Sequence, residues 1–173
     1  MAPKSKVVVL KDANIVIDMV NIGVFALWFR LGYETWTTDL ILEELRIGKQ
    51  WRDVEAFVAS GNLKVHGLSS DQVRKCWEFR EEHKVSLPDA SSIIVSEVLG
   101  AILLTGDGKL RRSAEKLGRS YRGVLWVLDV MIENQVLSYP GGVKALELLE
   151  KSNAFVPHLE IDKRRDAWSL LDG

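Results

Sequence analysis

Four acidic residues stand where their side chains could share a catalytic task. Asp12 and Asp107 each follow a short apolar run that has the composition of a buried strand. Ligands bind beyond the carboxyl ends of the strands in an open α/β sheet, so these two carboxylates converge if the two strands are neighbours. Glu44 lies in an apolar helical segment, and Asp89 stands near the start of another. We therefore treat these four acids as candidates for one site.

Carboxylates that crowd together favour a particular chemistry. They repel one another and raise each other's pKa unless a divalent cation neutralises them. A set of oxygen ligands without His or Cys suits Mg²⁺ or Mn²⁺. One such ion, or a pair about 3.5–4 Å apart, could activate a water molecule and stabilise the charge on a phosphodiester under attack. The pattern indicates hydrolysis by in-line attack of water, without a covalent intermediate.

The elements that must position these acids alternate between strands and helices. Apolar runs predict strands at residues 6–10, 101–105 and 123–127. We also expect a short second strand at residues 34–37 and, from the alternation of residues 63–66, an edge strand there. Helical spacing and capping residues predict helices at residues 15–30, 38–47, 51–59, 69–82, 87–99, 109–117, 128–134 and 143–149, followed by a loose arm from residue 154. Within the helix at residues 69–82 we expect Val73, Trp77 and Phe79 to be the apolar positions. This alternation predicts an α/β fold, a three-layer α/β/α sandwich with a mainly parallel central sheet.

Composition narrows the class of protein. The chain has 173 residues, 47% hydrophobic and 27% charged, which is typical of one globular domain. We place its core at about residues 6–127, with a helical C-terminal extension at 128–173. The longest uncharged apolar stretch, residues 19–29, is too short to span a bilayer, and a single cysteine fits a reducing cytoplasm. A net charge of -1 excludes a globally basic surface, so a nucleic acid would be met by a local patch.

Four segments together resemble a known family. They are Asp12-Ala13-Asn14-Ile15-Val16-Ile17, Thr38-Asp39-Leu40-Ile41-Leu42-Glu43-Glu44-Leu45, Leu87-Pro88-Asp89-Ala90 and Leu103-Leu104-Thr105-Gly106-Asp107. In this order and at roughly this spacing, they resemble the PIN-domain family of metal-dependent ribonucleases, which includes the VapC-type toxins. The resemblance covers about residues 6–127.

The resemblance implies roles for individual residues. Asn14 would be a polar partner behind the metal ligands, and Thr105 would orient the loop before Asp107. Asp18, six residues after Asp12, is a further candidate near the cluster. The catalytic residues and ligands of Mg²⁺ or Mn²⁺ would be Asp12, Glu44, Asp89 and Asp107.

Two details of this acidic set stay open. Glu43 competes with Glu44, because either side chain faces the site if the helix register shifts by one residue. No acid closely follows Asp107, which is succeeded by Gly108 and Lys109, so the number of metal ions is open as well.

Basic and aromatic residues could contact RNA. Lys109, Arg111 and Arg112 follow Asp107 directly, and Lys116, Arg119 and Arg122 continue the cluster. Cations beside an acidic site offset its repulsion of a phosphate backbone, although a solvated helix face is an equal alternative. The tryptophans could stack on unpaired bases. We expect most of them in the core, with Trp168 in the tail as the best exception.

These observations together predict a metal-dependent endoribonuclease that hydrolyses RNA phosphodiester bonds. Its similarity to toxins implies that it is the toxin of a toxin–antitoxin pair, with a cognate antitoxin and a homodimer as partners. We expect the protein in the cytoplasm, without a membrane partner. The apolar residues Phe155, Trp168, Leu170 and Leu171 are consistent with such interfaces. One alternative is a catalytically inactive PIN-like module that binds RNA or protein. Another is a phosphoryl-transfer enzyme or receiver domain, whose motifs the sequence lacks.

Overall fold

The structure is a computed structural model that describes residues 7–10, 13–152 and 156–171. Within these residues the chain forms five strands and ten α-helices. The strands are β1 (Val7–Leu10), β2 (Glu34–Thr38), β3 (Leu63–His66), β4 (Ile102–Leu104) and β5 (Tyr121–Arg122). The helices are α1 (Ala13–Asn21), α2 (Phe25–Trp28), α3 (Asp39–Arg46), α4 (Trp51–Ala59), α5 (Ser70–His83), α6 (Leu87–Leu99), α7 (Gly108–Lys116), α8 (Val124–Glu133), α9 (Tyr139–Lys151) and α10 (His158–Ser169).

The five strands form one parallel sheet in the order β3-β2-β1-β4-β5. This confirms the predicted α/β sandwich. In the register, Leu10 of β1 is opposite Leu104 of β4, and Val9 is opposite Trp36 of β2. The carboxyl ends of these three strands therefore lie at the same edge of the sheet, where an α/β protein binds its ligands.

Helices cover both faces of the sheet. Val8 and Leu104 point into the larger cluster, which also contains residues of α1, α2, α8, α9 and α10. Leu103 points to the opposite face and packs against α5, α6 and α7. Because both faces are covered, the central strands β1 and β4 are short apolar runs without alternation, as expected for a parallel sheet.

The helix predicted over residues 15–30 is in fact broken. α1 ends at Asn21 and α2 begins at Phe25, with their directions 105° apart. Gly23 has a φ of +76°, a conformation that glycine adopts readily. The N–H of Val24 donates to the carbonyl of Met19 at 2.9 Å and closes the last turn. Apolar spacing continues across this break, so periodicity alone did not indicate it.

Within residues 7–10, 13–152 and 156–171, no single helix is long and apolar enough to cross a membrane. Among these residues, only the bent pair Ala13–Asn21 and Phe25–Leu31 has the length and hydropathy of a span when its two helices are taken together.

The strand predicted at residues 123–127 is wrong. The last strand is β5, where Tyr121 and Arg122 pair with β4, and the chain turns into α8 at Val124. A short apolar run fits a buried strand and a buried helix equally well, and here the run belongs to a helix that is buried along most of its length.

The tail contains a packed helix, α10, where the sequence predicted a loose arm. α10 packs against α8 and α9, and Ile161 and Trp168 are buried in the larger cluster. Trp168 is only 4% exposed, and its Nε1 donates to Asp129 Oδ1 at 3.2 Å. It therefore cannot stack on a base as proposed from sequence. Phe155 lies outside the described residues, whereas Leu170 is 83% exposed.

α5 is buried along a different stripe from the predicted one. Ser69 caps the helix and shares a capping box with Gln72, as the sequence position suggested. Phe79 is buried as expected, together with Cys76, whereas Val73 and Trp77 are exposed. Burial, and secondarily the charge of Asp39, raises the pKa of the Cys76 thiol to about 11.

Candidate active site

Glu44 is positioned by the start of α3. Thr38 ends β2 and caps the helix, where its Oγ1 accepts a hydrogen bond from the N–H of Ile41 at 3.2 Å. The helix buries its apolar stripe, which turns Glu44 toward a cleft at the sheet edge. The preceding residue, Glu43, is exposed and pairs with Arg46 in solvent. The helix register thus places Glu44, rather than Glu43, at the cleft.

Asp89 is positioned by the first turn of α6. Ser86 caps this helix and accepts a hydrogen bond from the N–H of Asp89 at 3.1 Å, and Pro88 occupies the first turn. Proline suits this position because it lacks an N–H and its φ is already helical. The partial positive charge at a helix N-terminus favours an acidic residue in the first turn, where Asp89 stands.

A buried hydrogen bond joins the two helices that carry these acids. The hydroxyl oxygens of Thr38 and Ser91 lie 2.7 Å apart, and both residues are fully buried. Ser91 donates its own proton to the carbonyl of Pro88 at 2.7 Å. Thr38 must therefore donate to Ser91, while it accepts from the helix N–H. This link fixes the start of α3 against the first turn of α6.

Glu44 and Asp89 line one cleft together with Asn14 from α1. We call it the acidic cleft; its volume is about 320 Å³, and its lining residues are Ala13, Asn14, Glu44, Ile47, Ser86 and Asp89. Asp12 lies outside the described residues, although its neighbour Ala13 lines the cleft. The structure therefore brings together three of the residues that the sequence singled out.

Asp107 stands beyond the end of β4. Its Oδ1 accepts a hydrogen bond from the N–H of Leu110 at 2.9 Å and caps α7. The backbone N–H of Asp107 donates to the hydroxyl of Thr105 at 3.1 Å, and Thr105 is fully buried. Asp107 does not line the acidic cleft, but its strand neighbours β1, which ends two residues before Asp12.

The chemistry of the acidic cleft fits a hard divalent cation in part. Two carboxylates, one carboxamide and one hydroxyl offer oxygen atoms, which Mg²⁺ and Mn²⁺ prefer. Within residues 7–10, 13–152 and 156–171, however, no group of three Asp, Glu, His or Cys side chains could hold a metal ion. Glu44 and Asp89 are therefore at most part of a ligand set.

A comparison with protein families decides the classification. Residues 8–169 match a family model described as a PIN domain. The chain belongs to the PIN-domain family. This family has a nuclease-type fold, and its members are generally hydrolases that use divalent metals. A comparison with curated proteins found no match.

Three basic side chains of the PIN domain share one face of α7. Lys109, Arg112 and Lys116 line a shallow cleft of about 290 Å³ together with Glu82, His83 and Ser113, so three cations face one acid. We call this the basic cleft. The ring of His83 stacks on Phe79, and its Nδ1 lies 3.0 Å from Ser113 Oγ.

Arg111 faces away from the basic cleft. Its Nε and Nη2 both donate to the carbonyl of Thr105, at 3.2 and 3.0 Å, and its guanidinium lies over the Tyr121 ring. Arg119 pairs with Glu97, and Arg122 donates to the Tyr121 carbonyl. The basic cluster of the sequence therefore divides into three side chains that share a cleft and three with partners within the fold.

Asp18 lines a separate cleft at the same sheet edge, away from Glu44 and Asp89. We call it the Asp18 cleft, which is formed by α1, the loop after β4, the start of α8 and the start of α10. Burial raises the pKa of the Asp18 carboxyl. Sequence reasoning missed this cleft because it predicted no α10. The available signal was the spacing from Ile15 to Asp18, one helical turn, which places an acid beside an apolar position.

Proposed function

We propose that this PIN domain is a metal-dependent endoribonuclease that hydrolyses RNA phosphodiester bonds. The observation that carries the proposal is the acidic cleft, where Glu44 and Asp89 meet although they come from separate helices. The buried bond between Thr38 and Ser91 ties those helices together. Two fixed carboxylates at the carboxyl edge of a parallel sheet are suited to metal-assisted hydrolysis.

The chain's own residues would hold the metal and keep its ligands in place. Glu44 and Asp89 would bind the ion, with Asp12 and Asp107 as the further ligands that the family resemblance implies. A bound Mg²⁺ or Mn²⁺ would neutralise these carboxylates and polarise the phosphodiester. Thr105 holds the backbone of Asp107 at the end of β4.

RNA is the substrate implied by the family resemblance, and the basic cleft supports a polyanionic one. Lys109, Arg112 and Lys116 lie on the helix that Asp107 caps, so the first of these cations stands within one helical turn of Asp107. Contacts between such cations and phosphates position a nucleic acid without reading its sequence.

Cleavage of labelled single-stranded RNA tests the proposal. We would incubate the purified protein with Mn²⁺, Mg²⁺ or EDTA and compare Asp12→Asn, Asp89→Asn and Asp107→Asn with the wild type. Asparagine caps a helix about as well as aspartate, so Asp107→Asn should keep the fold. Cutting that needs a metal and is lost in the variants would support the nuclease. Absence of cutting by folded wild-type protein with either metal would contradict it.

A second candidate function is a non-catalytic module that binds RNA. It is favoured by one observation: Asp107 already serves as a helix cap through Oδ1, which is a structural role. The same experiment separates the candidates when RNA binding is measured in parallel, because the module would bind RNA without cutting it in any metal.

The toxin of a toxin–antitoxin pair is a narrower form of the nuclease proposal. It is supported by the resemblance to VapC-type toxins and implies an antitoxin that covers the acidic cleft. Induced expression in bacteria should then stop growth, and Glu44→Gln should restore it. Normal growth with active wild-type nuclease would contradict the toxin role and leave the nuclease in place.

A further inference from the structure

The Asp18 cleft has the size and position of a substrate subsite. Its volume is about 310 Å³, and Gly106, the residue before Asp107, lines it. Binding sites for small ligands begin at roughly 300 Å³. A group bound there would lie next to the loop that carries Asp107, in a cleft that shares no lining residue with the acidic cleft.

Asp18 is the hydrogen-bond acceptor in this cleft that lacks a protein donor. Its carboxyl group is half-buried and makes no hydrogen bond or ion pair in the part of the chain that the structure describes. Burial of a carboxylate without donors is unfavourable, because water is lost and nothing replaces it. A ligand that brings N–H donors would remove this penalty.

The two arginines of the cleft do not meet this need. Arg164 pairs with Asp129 at 2.9 Å and with Glu160 at 3.1 Å. Arg111 uses Nε and Nη2 on the Thr105 carbonyl, and its Nη1 makes no hydrogen bond among the described residues. The cleft therefore offers a carboxylate that needs donors, and it also offers N–H groups, from Nη1 of Arg111 and from the first turn of α8, which no side chain caps. The Asp18 carboxylate disfavours a phosphate beside it, because like charges repel.

The remaining walls suit the flat face of an aromatic ring. Ile15, Val124, Trp126 and Pro157 contribute apolar surface. Trp126 is held in place by the rings of Trp28 and Tyr33 and by the guanidinium of Arg122, which lies over its ring. Unpaired RNA bases bind proteins by this combination of stacking and hydrogen bonds at the Watson–Crick edge.

We propose that the Asp18 cleft binds an unpaired base of the RNA substrate and selects guanine. Guanine presents two adjacent donors, N1–H and N2–H₂, beside the acceptor O6, which matches the Asp18 carboxylate and the Arg111 N–H. Uracil offers one donor, and adenine and cytosine place an acceptor next to their amino group. The inference rests on the proposed function, because it assumes an RNA substrate.

Binding of short RNAs tests the selection without cleavage. The probes are labelled pentamers that differ only in a central G, A, C, U or inosine, titrated with the protein in EDTA and followed by fluorescence anisotropy. We expect the G probe to bind about tenfold more tightly than A, C or U, since a bidentate contact discriminates by that amount. Inosine, which lacks the 2-amino group, should bind between G and the others.

Asp18→Asn supplies the decisive comparison. Its carboxamide offers one acceptor and one donor, so the preference should move from G to A or C while overall affinity persists. The matched control is Asp53→Asn, an exposed acid on α4, which should keep the wild-type order. Thermal unfolding checks that both variants fold. Equal affinities of the wild type for all probes, or an unchanged order in Asp18→Asn, would overturn the proposal.

The same probes with Mn²⁺ separate this proposal from the nuclease. Cutting that is indifferent to the central base would refute the guanine subsite and support the nuclease. A G preference in binding, without cutting of any probe, would refute the nuclease and support the subsite as a feature of an RNA-binding module.

Discussion

Removal of the Ser91 hydroxyl should loosen the two helices that carry Glu44 and Asp89. In Ser91→Ala, the Thr38 hydroxyl loses its acceptor while it stays buried. A buried donor without a partner costs about 1–3 kcal/mol. Taking about 2 kcal/mol, and about 2–4 °C per kcal/mol for a domain of this size, the melting temperature should fall by about 4–8 °C.

Ser92→Ala is the matched control for this experiment. Ser92 is equally buried, but its hydroxyl donates only to the Asp89 carbonyl one turn back in the same helix, at 2.7 Å. Alanine is the better helix former, so this variant should lose less than about 1 kcal/mol. Both variants would be unfolded by heat and by urea, followed by circular dichroism.

Activity gives a second readout for the same pair. If the bond between Thr38 and Ser91 aligns the acidic cleft, Ser91→Ala should cut RNA more slowly than Ser92→Ala at a temperature where both are folded. Equal stability and equal rates in the two variants would refute the reasoning. The bond between Thr38 and Ser91 would then contribute no more than the local bond from Ser92 to the Asp89 carbonyl.

Three further predictions concern stability. Gly123→Ala should lower it by about 1–3 kcal/mol, because the new Cβ would lie 2.5 Å from Arg111 Nη2, whose guanidinium is held by two hydrogen bonds. Trp168→Ala should cost about 3–5 kcal/mol, since the ring is buried, whereas Leu170→Ala at the exposed end of the chain should cost little. Asp18→Asn should raise the melting temperature at pH 7, and the gain should shrink as the pH falls toward 4. Burial raises the pKa of the Asp18 carboxyl in the folded state above its ordinary 3.8. Protonated Asp18 therefore contributes to the stability of the fold at low pH, and this contribution is lost as the pH rises through the folded pKa.

Thermal unfolding checks all three, and each has a contradicting result. Gly67→Ala, where a Cβ meets open space, is the control for Gly123→Ala, and equal stability of the two would exclude the clash. A small effect of Trp168→Ala would show that α10 does not complete the core. A gain in Asp18→Asn that stays constant from pH 4 to pH 7 would contradict the desolvation of this carboxyl.

Local signals predicted most of the elements around the site. The sequence predicted helices that begin at residues 38, 69 and 87, and the structure has helices there that Thr38, Ser69 and Ser86 cap. The short apolar runs correctly indicated β1 and β4, because strands buried on both faces need no alternation. These signals are local, since a cap or a strand run depends on a few neighbouring residues.

The errors occur where tertiary contacts decide. The turn at Gly23 interrupts an apolar pattern that continues on both sides. α10 has few apolar residues, and it is held by long-range contacts such as the pair Arg164–Asp129. Residue types indicated Glu44 and Asp89, but the bond between Thr38 and Ser91 joins positions 53 apart, which no local pattern predicts.

The most direct test of the proposed nuclease is a comparison of two neighbouring glutamates. RNA cleavage rates in Mn²⁺ would be measured for Glu44→Gln and Glu43→Gln, which remove the same charge from the same helix. Glu44 lines the acidic cleft, whereas Glu43 pairs with Arg46 in solvent. We predict that Glu44→Gln slows cleavage by about a hundredfold or more and that Glu43→Gln stays near the wild-type rate. Equal rates in both variants, with both folded, would contradict a catalytic role for the acidic cleft.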